Sequence, residues 1–221
     1  MKNYKILNLY ACLGGNRYKW DEVAKAANIN MSVTAVEWDE ELAKLYQERF
    51  PNDKVIVADA HQYLLDHYKE FDFIWSSPPC PTHSRSRYAR RSTTSPKFPD
   101  LKLYEEIIFL DNWVEGKYVV ENVIPYYTPL IHAKKRGRHL YWTNFNLPND
   151  LKEREGGIIE GKDEVKKLCE FHDFDFYKYK GNQRVDKIAR NLVDYEAGRT
   201  ILETALSIQI QGNCNQIKFK F

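Results

Sequence analysis

Several features that define common protein classes are missing from this sequence. None of its four cysteines forms a C-x-x-C pair, which argues against a zinc site, and we expect no metal. No apolar run approaches the ~18 residues that a membrane helix needs, so we expect no membrane span. The formal net charge is only +2, so the overall charge does not indicate a nucleic-acid-binding protein. Scattered cysteines with no signal peptide fit a reducing cytoplasm.

The first 145 residues alternate short apolar runs with helical stretches. This alternation is typical of a mainly parallel sheet with helices on both faces. Strands are predicted at residues 5–10, 32–37, 54–58, 71–75, 118–121 and 139–143, and helices through Trp20 and Ala27 and at residues 39–50, 61–68 and 101–113. The sequence therefore predicts an α/β fold with one main core.

The remaining third of the chain has a different character. Residues 146–187 show weak periodicity and predict a small irregular insertion, whereas residues 194–206 predict an amphipathic helix. A ragged strand or a disordered tail is expected at residues 208–221. We divide the chain into a catalytic core (1–145), an insertion (146–187) and a C-terminal helix and tail that complete the core (188–221).

The ends of the first three predicted strands suggest a nucleotide-type ligand. A Leu-Gly-Gly turn at residues 13–15 lets a ligand approach the backbone, but the G-x-G-x-x-G fingerprint of dinucleotide sites is missing and Cys12 stands where its glycine would help. Glu37 can hold ribose hydroxyls and Trp38 can stack on an adenine. Asp59 can accept a bond from the adenine amino group or cap the next helix. An adenosine without pyrophosphate fits best, and S-adenosylmethionine is such a ligand.

A cysteine and a glutamate follow the next two predicted strands. Cys80 comes after residues 71–75 through the link Ser-Ser-Pro-Pro, and Glu121 closes the strand at 118–121. The carboxyl ends of parallel strands meet at one edge of a sheet, where such sheets bind ligands. A thiol beside a carboxylic acid suits addition to carbon 6 of a cytosine while its N3 is protonated. Burial of Cys80 in the core is the alternative, which the preceding prolines and the following polar loop disfavour.

Five basic residues and no acid occur between positions 85 and 97. They lie in a proline-containing loop, residues 78–99, directly after Cys80. Such a run can be a solvated surface, but next to a nucleophile it suits neutralisation of phosphates. We expect the neighbouring arginines to favour the thiolate of Cys80. We also expect the loop to be disordered without DNA and to become ordered over the bound base.

Together these motifs resemble the DNA cytosine-5 methyltransferase family, in a short phage-type form. The matching segments are residues 8–15, 36–39, 58–59, 77–84, 121–123, 134–138 and 191–201. The sequence departs from the family pattern at Cys12 (for glycine), Pro81 (for glutamine), Lys134 and Arg190 (for glycine). The region for target recognition is reduced to at most about forty residues.

The resemblance implies a Rossmann-like S-adenosylmethionine-dependent methyltransferase sheet that methylates carbon 5 of a flipped-out cytosine in double-stranded DNA through a covalent Cys80 adduct. The implied catalytic residues are Cys80, Glu121, Asn122 and Arg138. The implied cofactor-binding residues are Tyr10, Leu13, Gly14, Gly15, Glu37, Trp38, Asp59, Ala60, Pro79, Asn191 and Val193. The implied nucleic-acid-binding residues are Ser84, Arg85, Arg87, Arg90, Arg91 and Arg136.

Four alternatives stay open on sequence alone. The substrate can be a tRNA cytosine, and Cys12 can indicate a modified S-adenosylmethionine donor. The chain can also be a non-catalytic nucleic-acid-binding module, against which Cys80, Glu121 and Arg138 argue. An amino-group methyltransferase would share the Ser-Pro-Pro link, but it would carry an aromatic residue where Cys80 stands. We expect a monomer in the cytoplasm of a bacterial or phage-infected cell.

Overall fold

A single seven-stranded sheet organises the chain. The structure is a computed structural model that describes residues 3–149, 161 and 163–207. The strands are β1 (Asn3–Leu9), β2 (Asn30–Glu37), β3 (Lys54–Val57), β4 (Phe73–Ser76), β5 (Lys117–Val123), β6 (Lys134–Arg136) and β7 (His139–Thr143). Their order is β3-β2-β1-β4-β5-β7-β6, with the first five parallel and β7 antiparallel to both of its neighbours. The predicted strands are confirmed, and β6 is an additional one.

Helices cover both faces of this sheet, as predicted. They are α1 (Trp20–Ala26), α2 (Glu40–Arg49), α3 (Ala60–His67), α4 (Arg85–Ala89), α5 (Lys102–Trp113), α6 (Glu164–His172), α7 (Val185–Asn191) and α8 (Tyr195–Ala205). Side chains of α1 and α8 form one core cluster with β1 and β4, and side chains of α3 and α5 form another with the same strands. Because both faces are covered, β4 reads as a continuous apolar run, Phe-Ile-Trp, and is buried throughout.

Side-chain caps fix where the helices next to the sheet edge begin. Asp39 accepts hydrogen bonds from the backbone N–H groups of Glu41 and Leu42, and Asp59 does the same for His61 and Gln62. These bonds satisfy donors that have no partner within the helix. The strand-to-helix turns after β2 and β3 are thereby fixed.

Two segments are more regular than the sequence suggests. The loop at residues 78–99 contains α4, which Ser84 caps, and the ordering of this loop on DNA stays a prediction. The region expected to be irregular contains α6 and a 3₁₀ turn, Phe176–Lys178. Leu168 and Phe176 pack there against Leu13 from the β1–α1 loop, so tertiary packing stabilises elements whose own periodicity is weak. The three-part division of the chain stays a prediction, and residues 208–221 lie outside the described residues.

Candidate active site

A cleft opens at the carboxyl edge of β1, β2, β4 and β5. It brings together the predicted catalytic residues with most of the predicted cofactor residues. Its walls include Tyr10, Gly15, Glu37, Trp38, Pro79, Cys80, Glu121, Asn122, Arg138, Asn191 and Val193. The order of the strands therefore unites motifs that lie more than 180 residues apart in the sequence.

Cys80 lies in a tight turn immediately after Pro78 and Pro79. Its carbonyl accepts hydrogen bonds from the backbone N–H groups of His83 (3.0 Å) and Ser84 (3.1 Å), so the thiol is held at the start of the loop. Burial raises the pKa of the Cys80 thiol and the Glu121 carboxylate raises it further, while Lys187 and Arg138 act in the opposite direction. Arg138 therefore favours the thiolate, as expected of a neighbouring arginine, but burial and Glu121 outweigh it and the pKa is raised overall.

Glu121 and Asn122 come from β5, next to the Cys80 turn. Glu121 is buried, and its Oε1 atom lies 3.6 Å from Nε2 of His139 on β7. Asn122 donates from Nδ2 to the carbonyl of Pro78 at 2.9 Å, and its Oδ1 accepts from the N–H of Val123. Asn122 thus joins the strand that carries the acid to the turn that carries the thiol.

The two arginines of the β6–β7 hairpin point to different places. Arg138 lines the cleft and donates from Nη2 to the carbonyl of Arg190 at 2.9 Å. Arg136 donates instead to the carbonyls of Lys135 and Pro148 and is not among the residues that line the cleft. A nucleic-acid contact by Arg136 therefore lies outside the cleft and stays a prediction.

Glu37 joins two loops at the base of the cleft. Its Oε2 atom accepts from the backbone N–H of Cys12 at 2.8 Å, and its Oε1 atom accepts from that of Asp39 at 3.0 Å. Burial raises the pKa of Glu37, whereas these backbone bonds act against the rise. Each carboxylate oxygen has a second lone pair, so both oxygens can still accept bonds from ligand hydroxyls.

The three residues of the Leu-Gly-Gly turn have different roles. A Cβ on Gly15 would lie 2.2 Å from the carbonyl oxygen of Val193, so glycine here permits the C-terminal segment to close the cleft. Gly14 has φ +66° and packs against Phe50, and the Leu13 side chain is fully buried. The structure does not place Leu13 or Gly14 among the residues that line the cleft.

A second cleft adjoins the first and adds Asp59 and Ala60 to the predicted cofactor residues that line a cleft, whereas Leu13 and Gly14 line neither. It is lined by Tyr10, Trp38, Asp59, Ala60, His61 and Pro79, of which Tyr10, Trp38 and Pro79 also line the first cleft. Trp38 is 70% exposed, so its ring is free to take a partner. Asp59 caps α3 through Oδ1, so Oδ2 takes no part in the cap.

The C-terminal motif contributes the remaining wall. Asn191 ends α7 and Val193 follows it, and both line the first cleft. Arg190, which stands at a position where the family pattern has glycine, pairs through its guanidinium with Glu164 of α6, with Nη2 and Oε2 at 2.5 Å. Helix α6 is thereby tied to the site.

The basic residues after Cys80 lie on and around α4. Ser84 caps this helix, Arg85 donates to the carbonyl of Pro125 at 3.2 Å, and Arg87 donates to that of Ser95 at 2.6 Å. Arg90 contacts Ser86, and the Arg91 guanidinium lies 4.7 Å from the centre of the Tyr88 ring. They do not line the cleft, so their contact with nucleic acid stays a prediction.

Several cleft residues escape sequence reasoning. Asn8 of β1 and Asn16 form a buried pair of side-chain amides, with Nδ2 of Asn16 donating to Oδ1 of Asn8 at 2.8 Å. The sequence feature that could have indicated this pair is Asn8, a polar residue within an otherwise apolar strand. Gln183 and His139 also line the cleft, and only the tertiary fold brings them there.

In the described part of the chain, no group of three or more His, Cys, Asp or Glu side chains is arranged to hold a metal, and no helix is long and apolar enough to cross a membrane.

Comparison with known proteins agrees with this geometry. The family model for C-5 cytosine-specific DNA methylase matches residues 4–123. The structure is similar to the Entamoeba histolytica methyltransferase EhMeth, with a TM-score of 0.56, 11% identity and coverage of 94% of this chain and 99% of that one. A Spodoptera frugiperda DNMT2 mutant gives a TM-score of 0.48 at 16% identity, covering 92% of this chain and 99% of that one. No curated protein sequence matches the chain.

The sheet order, the helices on both faces and the likeness to EhMeth define a Rossmann-like α/β methyltransferase fold. The family match extends over more than half of the chain and ends at the Glu-Asn-Val motif. The chain belongs to the C-5 cytosine-specific DNA methylase family, and its activity class is methyl transfer.

Proposed function

We propose that the chain transfers a methyl group from S-adenosylmethionine to carbon 5 of a flipped-out cytosine in double-stranded DNA, through a covalent adduct with Cys80. The observation that carries the proposal is the single cleft that Cys80, Glu121 and Arg138 share with Glu37 and Trp38. A base and a donor that enter this cleft from its two ends would meet between these groups.

The reaction uses the thiol and the acid in turn. The Cys80 thiolate adds to carbon 6, and the electrons displaced from the C5=C6 bond form a C4=C5 bond while N3 takes a proton from Glu121. Carbon 5 then attacks the methyl group, and the electrons of the broken C–S bond leave with the thioether. Loss of the carbon-5 proton to water re-forms C5=C6 and expels the Cys80 thiolate, and the N3 proton returns to Glu121. Arg138 would bind the cytosine O2.

The two adjoining clefts suit an adenosine that carries no pyrophosphate. Glu37 has free acceptor capacity for ribose hydroxyls, the exposed Trp38 ring offers a face for the adenine, and Oδ2 of Asp59 takes no part in the α3 cap. S-adenosylmethionine would supply an electrophilic methyl group on a sulfonium. The close contact between Gly15 and Val193 would close the cleft below the bound donor.

The basic surface after Cys80 suits a polyanion. Arg85, Arg90 and Arg91 are exposed on or beside α4, which starts five residues after the nucleophile in the loop that borders the cleft. A target base inside a duplex is not accessible, so it must rotate out of the stack to reach the thiol. Residues 81–99 would then cover the extruded base while their arginines neutralise neighbouring phosphates.

Trapping of the adduct tests this function. The protein is incubated with S-adenosylmethionine and a pool of random-sequence duplexes that contain 5-fluorocytosine, because fluorine at carbon 5 blocks the final elimination. We expect a protein–DNA band that survives denaturation, disappears in Cys80→Ser and persists in Cys169→Ser, whose thiol is not among the residues lining the cleft.

A parallel RNA arm separates the two candidate substrates. Transfer RNA transcripts that contain 5-fluorocytosine are treated in the same way, at the same concentration. A band with RNA alone would replace the DNA proposal with the tRNA alternative, and no band with either polymer would overturn the covalent mechanism. Mass spectrometry of the base released from the trapped product identifies the transferred group, and a group other than methyl would indicate a modified donor.

A further inference from the structure

A buried carboxylate that the chemistry does not use lies behind the cofactor side of the cleft. Glu106 of α5 is completely shielded from solvent, yet three side chains surround its two oxygens. The Tyr10 hydroxyl lies 2.5 Å from Oε1, the Ser76 hydroxyl lies 2.5 Å from Oε2, and Nδ1 of His61 lies 2.9 Å from Oε1. A buried carboxylate is stable only when its oxygens have hydrogen-bond partners, and these three side chains provide them.

The three partners of Glu106 come from three separate elements at the edge of the sheet. Tyr10 follows β1, Ser76 is the last residue of β4, and His61 lies in the first turn of α3. Strands β1 and β4 are neighbours, and Ser76 leads directly into the turn that carries Cys80. Glu106 therefore ties the ends of two adjacent strands to one helix.

Tyr10 is the partner of Glu106 that lines both adjoining clefts, as Trp38 and Pro79 do, whereas His61 lines only the second. The φ of +55° at Tyr10 is uncommon for a residue other than glycine, so the backbone alone does not favour this position.

We propose that Glu106 is a positioning residue that holds the Tyr10 ring through its hydroxyl and thereby sets the affinity of the cleft for the adenosine part of the methyl donor. This inference rests on the proposed function, because it takes the adjoining clefts as the donor site. Tyr10 lines both clefts, and the bond from its hydroxyl to Glu106 restricts the rotation of its ring. Without the hydrogen bond from its hydroxyl, the Tyr10 ring has no fixed orientation. The donor must then order the ring when it binds, which reduces the binding free energy.

His61 makes the cluster sensitive to pH. The hydrogen bond to Glu106 is the main reason that the pKa of His61 is raised, Glu105 adds to it with its Oε2 atom 3.4 Å from Nε2, and Lys102 opposes it. Asp59 and Asp100 line the same cleft and Tyr10 shares the Glu106 oxygen. Because the folded pKa is raised, the charged contact is present at low pH and is lost as the pH rises through that value.

The test compares two tyrosine-to-phenylalanine substitutions. Tyr10→Phe removes the hydroxyl on Glu106, and Tyr118→Phe removes an equivalent bond to Asp111 (3.0 Å) at the start of β5, away from both clefts. The donor Kd is measured by calorimetry and kcat at saturating donor with a duplex pool. We expect Tyr10→Phe to raise the Kd roughly five- to tenfold, more than it lowers kcat, which corresponds to the loss of one hydrogen bond of ordinary net strength. Tyr118→Phe should leave the Kd unchanged.

A second variant and a pH series decide the outcome. Glu106→Gln should weaken donor binding in the same direction, and adding Tyr10→Phe to it should cost little more, because both changes remove one interaction. The donor affinity of the wild type should fall as the pH rises through the His61 titration, and His61→Gln should abolish that dependence. Unchanged donor affinity in Tyr10→Phe and Glu106→Gln would overturn the inference and leave the proposed function intact. Failure of the wild type to bind S-adenosylmethionine would overturn both.

Discussion

The two walls of the cleft use similar polar residues in opposite ways. On the donor wall, which is proposed to bind the methyl donor and is formed by the ends of β2 and β3, Glu37 and Asp59 accept backbone N–H bonds from the β1–α1 loop and from residues that follow them. On the catalytic wall, which is proposed to carry the chemistry and is formed by the ends of β4 and β5, the Cys80 thiol is half-buried beside Glu121 and its pKa is raised. Under the proposed function, one wall already has the form that binds, whereas the other does not yet have the form that reacts.

This difference suggests how the site works. Carboxylates that are fixed by backbone donors can receive a ligand without rearrangement, which is the condition for good affinity. A protonated thiol is a poor nucleophile, so the catalytic wall needs a change that lowers the pKa of Cys80. Protonation of Glu121 would bring such a change, because it removes the negative charge that raises the pKa of Cys80, and the same proton is then available for N3 of the base. Donor binding should consequently survive substitutions that stop the chemistry.

The largest expected effect comes from removing the thiol. Cys80→Ala should reduce methyl transfer to background, because it removes the proposed nucleophile. The other cysteine that lines the cleft, Cys12, lies on the Glu37 side, and burial raises the pKa of its thiol. The donor Kd of Cys80→Ala should stay within about twofold of the wild-type value, since the donor wall does not depend on the Cys80 thiol. Radiolabelled methyl transfer and calorimetry measure the two quantities, and Cys169→Ala is the control. If Cys80→Ala lost donor binding as well as methyl transfer, the two walls of the cleft would be energetically coupled.

Glu121→Gln should act on the same wall with a smaller effect. The amide keeps the shape of the side chain but cannot give N3 a proton, so kcat should fall by roughly 10²- to 10⁴-fold, the usual contribution of a general acid. The donor Kd should again change little. If kcat falls less than tenfold, the proton reaches N3 from another group and the role assigned to Glu121 is wrong.

Two adjacent glycines provide a sharper test of the donor wall. Gly15→Ala places a methyl group against the carbonyl of Val193, and Gly14→Ala places one against Phe50 at a positive φ. Both should lower the free energy of unfolding by about 1–3 kcal/mol through overpacking. Only Gly15→Ala should also weaken donor binding, because Gly15 lines the cleft and Gly14 does not. Denaturant titration and calorimetry separate the two effects, and equal donor affinities would contradict the assignment.

Residues at strand ends were the part of the site that sequence could predict. Glu37, Cys80 and Glu121 are recognisable because an apolar run ends beside each of them, and the parallel order of the strands then brings them to one edge. The cap at Asp59 was one of its two predicted roles, and the structure confirms it. The amphipathic period of α8 was also sufficient to predict that Ala197, Ile201, Leu202 and Ala205 are buried.

Contacts made across the fold could not be predicted. Gln183 and Arg190 reach the cleft because α6, α7 and the 3₁₀ turn pack on the β1–α1 loop, and nothing in their local sequence indicates it. The net rise in the pKa of Cys80 could not be predicted either, since charge can be counted in a sequence but desolvation cannot. Likewise, the role of Gly14 follows from the position of Phe50, thirty-six residues later in the chain.

The smallest expected effect concerns the titration of Cys80. A raised pKa lowers the thiolate fraction at any given pH, so alkylation of Cys80 by iodoacetamide should rise with pH along a curve whose midpoint lies above the ~8.5 of a free thiol. Glu121→Gln removes a negative charge that contributes to the rise, so the midpoint should move toward lower pH. Peptide mass spectrometry follows Cys80 alone, which excludes signal from the other cysteines. An unshifted midpoint in Glu121→Gln would mean that burial alone sets the state of the thiol, and the base could then activate it only by displacing the groups that shield it.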